Sequence, residues 1–185
     1  FDVIVTVNPT VGISPIGDQI LCNGENTFDI NFTSVLDQNT ENLNEGVITY
    51  SWDNDNPGIG LSSSGTGNIP SFVADNSTTE QIEGNITVTS VYTYNDISCD
   101  GDSTTFKIIV NPSPQVVFSE NDQFITSGDT TVSVDLTSPT SGVTFAWTAV
   151  AQDGIEGLTT FTGTDLIPEE TLFNNTTETL TVTYT

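Results

Sequence analysis

The chain has 185 residues, 25 of them acidic and one, Lys107, basic, for a formal net charge of −24 with no His or Arg. Such a surface repels phosphate backbones, because nucleic-acid binding needs Lys and Arg to displace counterions, and it equally disfavours electrostatic docking on anionic lipid. Hydrophobic residues still make up 35%, with ten Phe, which argues for a packed core over acidic disorder, and no apolar run approaches the ~20 residues that span a bilayer.

In chain order, the sequence predicts strands throughout. "FDVIVTV" (Phe1–Val7) alternates apolar and polar residues and stops at Asn8-Pro9. "TFDINF" sets Phe28, Ile30 and Phe32 on one side and Asp29 and Asn31 on the other, the period of a half-buried strand. "VITYSW" does the same with Ile48, Tyr50 and Trp52, and "FKIIV" with Phe106, Ile108 and Val110. Val132, Val134 and Leu136 alternate next, then Val143, Phe145 and Trp147, then Leu180, Val182 and Tyr184. Thr, Val and Ile fill these runs while Gly, Asn, Asp and Pro punctuate them. No stretch sustains a helical period, so the fold class is all-β, of antiparallel β-sandwiches.

The chain also repeats itself. "VNP" at residues 7–9 returns at 110–112, "GVITYSW" (46–52) as "GVTFAW" (142–147), and "GLSSSGTGNIPSF" (60–72) as "GLTTFTGTDLIPEETLF" (157–173). "ITVTSVY" (86–92) returns as "LTVTYT" (180–185). The spacing drifts, as it should where loops vary and core strands do not. Tandem repeats follow: residues 1–8 as the last strand of a preceding repeat, 9–111 as a complete sandwich, and 112–185 as a second, C-terminally incomplete one. On this reading the chain is an interior piece of something longer. Proline at the seams fixes φ and restricts the residue before it, which makes a short, stiff connection between modules.

Candidate chemistry is sparse. With no His or Arg, the parts of a nucleophilic triad or dyad are missing, and chance pairs of carboxylates are inevitable among 25 acids. Gly65-Thr66-Gly67 lacks the Lys and following helix of a phosphate loop and reads as a turn. Cys22 ("LCNGE") and Cys99 ("SCDGD") are expected to form a disulfide, as paired Cys do in extracellular chains; closing that loop would stabilise by roughly 4 kcal/mol. An immunoglobulin-type order places the first and last hairpin tips at opposite ends, so the bridge requires Cys22 to lie off the first tip. Thr126 replaces the first Cys in the second copy. Trp52 and Trp147 hold matching places and read as core aromatics between two sheets, the alternative being an exposed platform for sugar rings. The turn "SWDNDNPG" clusters Asp53 and Asp55, oxygen ligands that could hold Ca²⁺, although no EF-hand pattern is met; the preferred reading is a solvated turn with no metal and no cofactor. Five Asn-x-Ser/Thr sequons, at Asn31, Asn76, Asn85, Asn174 and Asn175, are what an Asn- and Thr-rich chain produces by chance.

The ordered set "CNGE … YSW … GLSSSGTGNIPSF … ITVTSVY … SCDGD … FKIIVNPSP" resembles the PKD-like, immunoglobulin-like repeats of giant surface adhesins in the Bacteroidetes. The resemblance covers the first repeat well and the second in part, where "GTGNIP" has become "GTDLIP". It implies a surface filament exported by the type IX system and moved by the gliding machinery. Its partners would be neighbouring repeats of the same chain and, through the parent adhesin, an external surface or polysaccharide. Sugar attachment at Asp102-Ser103-Thr104 and Asp129-Thr130-Thr131 is also implied. Two functions compete: a structural spacer, which needs no shared exposed site, and a carbohydrate- or calcium-binding module, which needs matched aromatic or acidic turns in both copies.

Overall fold

The computed structural model describes residues 1–3, 10–36 and 46–185. Among them regular structure is all β apart from one 3-10 turn, Pro57–Ile59. The chain divides into two compact units, Phe1–Ser113 and Pro114–Thr185. Of the expected leading strand 1–8, residues 4–8 lie outside the described residues, while Phe1 and Val3 are exposed and in no strand.

Unit one contains β1 (Val11–Ile13), β2 (Gln19–Cys22), β3 (Ser34–Leu36), β4 (Val47–Asn54), β5 (Ser64–Thr66), β6 (Ile82–Tyr94) and β7 (Ile97–Asn111). Its main sheet has the order β2-β7-β6-β4-β5, and β1 pairs with β3 in a second layer. The long hairpin β6–β7 is the spine. Its two-residue turn holds Asn95 and Asp96 at φ 49° and 62°, the left-handed values a tight hairpin demands and Asn and Asp tolerate. Alternation sends Ile86 and Val88 of β6, and Phe106, Ile108 and Val110 of β7, inward against Trp52, Ile30, Phe32 and Ile69. Each such burial is worth about 1.5–3 kcal/mol before ordering costs. Ser90, also inward, is satisfied by donating to the Val11 carbonyl at 2.7 Å. β2 joins the sheet in parallel, with Gln19 opposite Ile108 and Cys22 opposite Asn111.

Unit two contains β8 (Val117–Phe118), β9 (Val134–Thr137), β10 (Trp147–Ala151), β11 (Ile155–Glu156), β12 (Thr162–Gly163), β13 (Leu166–Ile167), β14 (Phe173–Asn174) and β15 (Val182–Tyr184). They form sheets ordered β12-β10-β15 and β13-β9-β8, with β11 paired to β14. Val134, Leu136, Trp147, Ala149 and Ile167 make the core, and the Tyr184 ring meets Trp147 edge-on with centroids 5.6 Å apart. β10 and β12 repeat the pairing of β4 and β5, and β15 sits on β10 as β6 sits on β4.

One expected face is corrected at the same place in both units. Phe28 is 79% exposed and Val132 53% exposed, whereas Ile30, Phe32, Val134 and Leu136 are buried. Backbone pairing explains it. Gln19 accepts from the Phe28 amide and donates to its carbonyl, and Gln123 does the same for Val132. A glutamine side chain thus replaces a neighbouring strand, and the residue it holds carries its own side chain outward.

Candidate functional site

Among the described residues no three His, Cys, Asp or Glu side chains gather in a way that could hold a metal ion. An open depression beside β10 and β12 is lined by Ala146, Trp147, Thr148, Thr162, Gly163, Thr164 and Thr185, with no acidic, basic or thiol side chain among them. What the units share is a framework of side chains bonded to backbone, and the sequence-predicted residues fall on or around it.

The first shared node is a tight turn. In unit one the Glu25 amide donates to the Cys22 carbonyl and the Glu25 carboxylate accepts from the Cys22 amide. In unit two Asp129 and Thr126 make the same pair of bonds. Gly24 and Gly128 between them sit at φ +87° and +95°, a left-handed conformation that Cβ-bearing residues reach at a cost.

The second node is the stretch "NSTTE" (76–80) and its counterpart "NNTTE" (174–178). In each, the Asn carbonyl oxygen accepts from the amide and hydroxyl of the Thr two residues on, and the Asn amide group donates to a Glu carbonyl two residues further. The nodes are tied together: the Asn76 amide donates to Asn23 Oδ1, and the Asn174 amide to Ser127 Oγ. Two of the five sequons are therefore turn-forming asparagines. Of the others, Asn31 accepts from Asn68, and Asn85 donates to Asp55.

The third node is the tryptophan pair. Trp52 and Trp147 are both buried, and each indole lies over a cross-strand glycine, Gly65 and Gly163 respectively. Trp147 donates from Nε1 to the Leu166 carbonyl at 3.0 Å, whereas Trp52 Nε1 has no partner among the described residues.

The expected Cys22–Cys99 disulfide is overturned. Cys22 lies opposite Asn111, at one end of β7, and Cys99 lies near the other end, opposite Tyr92. Twelve residues of β7 separate these positions, about 40 Å at ~3.3 Å per residue, while a bridge needs Cα atoms within roughly 7 Å. The parallel insertion of β2 beside the far end of β7 is the physical cause.

Asp53 and Asp55 are exposed at the end of β4 and beyond it. Asp55 is already engaged: Asn85 donates its backbone amide to one carboxylate oxygen at 2.7 Å and its side-chain amide to the other at 2.8 Å. Those bonds, the backbone one first, hold the Asp55 carboxyl below its ordinary range. Strand pairing puts Thr148 and Val150 at the corresponding places in unit two, so the acidic turn is not repeated.

Sequence reasoning missed Glu170. It is 4% exposed, and its carboxylate accepts from the Thr159 amide and hydroxyl and the Thr160 amide, at 3.1, 2.7 and 2.8 Å. Burial pushes its pKa up, and these bonds outweigh burial and bring it below the ordinary value. Burial, followed by the charge of Glu170, raises the Tyr184 hydroxyl. A carboxyl lowered on folding adds stability above its unfolded pKa and loses it as pH falls through the folded one. Unit two is therefore expected to weaken with acid below the ordinary glutamate range. Glu170→Gln should flatten that dependence and cost about 1–3 kcal/mol at neutral pH, because its amide turns donors toward donors. Denaturation followed by Trp147 fluorescence in a Trp52→Phe background checks both; an unchanged acid slope in Glu170→Gln counts against the assignment.

Residues 124–185 match the PKD-like domain family. No curated protein matches the chain. Among solved structures, a chain of the CsuC–CsuE chaperone–tip adhesion subunit pre-assembly complex from archaic chaperone-usher Csu pili of Acinetobacter baumannii aligns over 95% of this chain and 99% of its own, at 9% identity and a TM-score of 0.37. Extracellular domains 3–5 of Drosophila OTK align over 92% of this chain and 57% of their own, at 13% identity and a TM-score of 0.27. Among the described residues no helix is long and apolar enough to cross a membrane.

Proposed function

We propose that this chain is a segment of tandem PKD-like, immunoglobulin-like repeats from a large bacterial cell-surface adhesin, holding a distal gripping region away from the cell in attachment or gliding. One observation carries the reading: the two units share a framework of turn and strand contacts, while the acidic turn of unit one has no counterpart in unit two. The turn at Gly24 and Gly128, the Asn-x-Thr-Thr-Glu turn and the stacking of Trp on a cross-strand Gly recur in both units, while Asp53 and Asp55 give way to Thr148 and Val150. Repeats kept for their fold differ in this way; repeats kept for a ligand keep its contacts. The PKD-like match at 124–185 and the sequence resemblance of the first repeat support it. A net charge of −24 fits a crowded extracellular filament, since like-charged copies repel and stay soluble. The partners on this reading are neighbouring repeats, the gliding machinery, and the gripped surface or polysaccharide, which the parent reaches through other parts.

The test is twofold. Antibodies raised against this chain should label intact, unpermeabilised cells, and the purified chain should pass unretained over the polysaccharides that the parent grips. Specific retention would favour the rival reading, a carbohydrate-binding module. For its calcium form, the melting temperature is expected to move by no more than about a degree between chelator and millimolar calcium, because only a ligand bound to the native state raises stability. A rise of several degrees would make the Asp53–Asp55 turn a site.

A further inference from the structure

Where β2 meets β7, unit one holds the only parallel strand pair among the described residues. Its place in the chain decides how the unit meets tension. β1 sits beside the middle of β7: the Val11 carbonyl accepts from Ser90 Oγ, and a β-carbon added to Gly101 would run into that same carbonyl. β2 ends opposite Asn111, ten residues further along β7, or about 33 Å at ~3.3 Å per residue. The chain thus passes from β1 to β2 alongside β7 and in its direction, and it leaves the unit through Asn111 and Ser113. A pull on the two flanks of unit one draws β2 back toward Gly101 and β7 the opposite way. The strands must slide past each other, and every bond between them is loaded together.

Side chains fasten the pair at both ends. At its start the Lys107 amide donates to Asp18 Oδ1 at 2.7 Å. At its end the Asn23 amide donates to the Asn111 carbonyl at 2.9 Å, and Asn23 Nδ2 to Ser113 Oγ at 3.1 Å. From the other edge of β7, Asn76 holds the Val110 carbonyl and Gln81 the Asn111 side chain. Between these ends Leu21 is buried opposite Val110. We propose that the β2–β7 pair is a shear clamp, and that unit one bears tension along the chain as well as spacing its neighbours. The proposal rests on the spacer reading for the source of the tension, since a gripping region held away from the cell pulls on every repeat behind it. Forced unfolding is governed by the unfolding rate, and in this geometry the clamp's bonds are the ones that must break to reach the barrier.

Asp18 and Asp29 provide the test. Both are exposed, and each carboxylate accepts one backbone amide at 2.7 Å, from Lys107 inside the clamp and from Ser71 outside it. The whole chain is stretched by peptide tags at its two ends, and unit one is recognised by a length gain of about 300 Å. Asp18→Ala should speed its unfolding at fixed load about tenfold and Asp29→Ala about threefold at most, although both shift the denaturant midpoint alike. A second comparison moves the first handle to the exposed Cys22 thiol in a Cys99→Ser background. Cys22 lies opposite Asn111, so the pair is then opened from one end, bond after bond, and the unfolding force should fall to about half or less. The proposal is overturned if Asp18→Ala accelerates unfolding no more than Asp29→Ala does, relative to their losses in denaturant. An unfolding force that ignores the position of the handle overturns it too. Neither result bears on where the parent protein sits, which cell labelling decides separately.

Discussion

Asn76→Ala is expected to cost unit one about 3 kcal/mol or more, a large share of the 5–15 kcal/mol by which domains are stable. Asn76 is 2% exposed, and its side-chain amide donates to the Val110 and Glu80 carbonyls, both at 2.8 Å. Its oxygen accepts from the Thr78 amide at 2.9 Å and the Thr78 hydroxyl at 2.7 Å. Alanine strips partners from all of these at once, and an orphaned buried group costs more than the bond was worth. Asn76→Asp should be worse at neutral pH, since a carboxylate would face two carbonyl oxygens, and should recover in part in acid, where a protonated Asp regains one donor. The counterpart is the control. Among the described residues Asn174 keeps the bonds to Glu178 and Thr176 without a second carbonyl like that of Val110, and it is only half-buried. Asn174→Ala should therefore cost nearer 1 kcal/mol. Denaturant unfolding, read by Trp52 in a Trp147→Phe background and by Trp147 in the reverse one, compares the two sites. Equal losses at both would sink the account.

That contrast shows where the sequence was readable. Period-two alternation identified the all-β fold and the inward side of β4 and β7, because a side chain on a pleated strand has only two directions available. The same rule failed at Phe28 and Val132, where a Gln side chain substitutes for a strand and leaves the following apolar residue outside. Alternation is also silent on strand order. Nothing in "LCNGE" says that β2 enters parallel to the end of β7, and the Cys22–Cys99 bridge was inferred without that fact. The Asn nodes carried a legible signal that composition concealed. As isolated sequons, Asn76 and Asn174 are expected by chance; as the matched pentapeptides "NSTTE" and "NNTTE" they are not. Spacing between equivalent residues runs from 104 at the Gln clamps to 95 at the tryptophans and 98 at the Asn nodes, so a repeat search at one fixed period passes over the match. Glu170 was hidden for another reason. It holds the position of Phe72, as the bonds from each backbone amide to Thr131 and Thr27 show, so a buried charge replaces an aromatic ring in an otherwise matched stretch.

Gly65→Ala is expected to destabilise unit one by roughly 2–4 kcal/mol, at or above the usual range for overpacking. Gly65 lies directly across from Trp52 on β5, and a β-carbon added there would fall within the indole. The ring cannot yield freely, because it is packed among Ile30, Phe32, Val88 and Phe106 in a core of near-crystalline density. Gly163→Ala repeats the experiment in unit two, where the added carbon would come to 2.5 Å from Trp147 Cζ2 and 2.9 Å from Nε1. Here the indole is also held by its bond to the Leu166 carbonyl, so a ring pushed aside loses about 1 kcal/mol more. If the clash is the cause, removing the ring should remove much of the cost. Trp52→Leu and Trp147→Leu each open a cavity and destabilise on their own. Combined with the alanine, each pair should fall short of the sum of its single losses by about 1 kcal/mol or more, the range expected for residues in direct contact. Strictly additive losses would place the effect of the alanine in the backbone of β5 and β12. They would remove the Trp–Gly pair from the framework that the two units share.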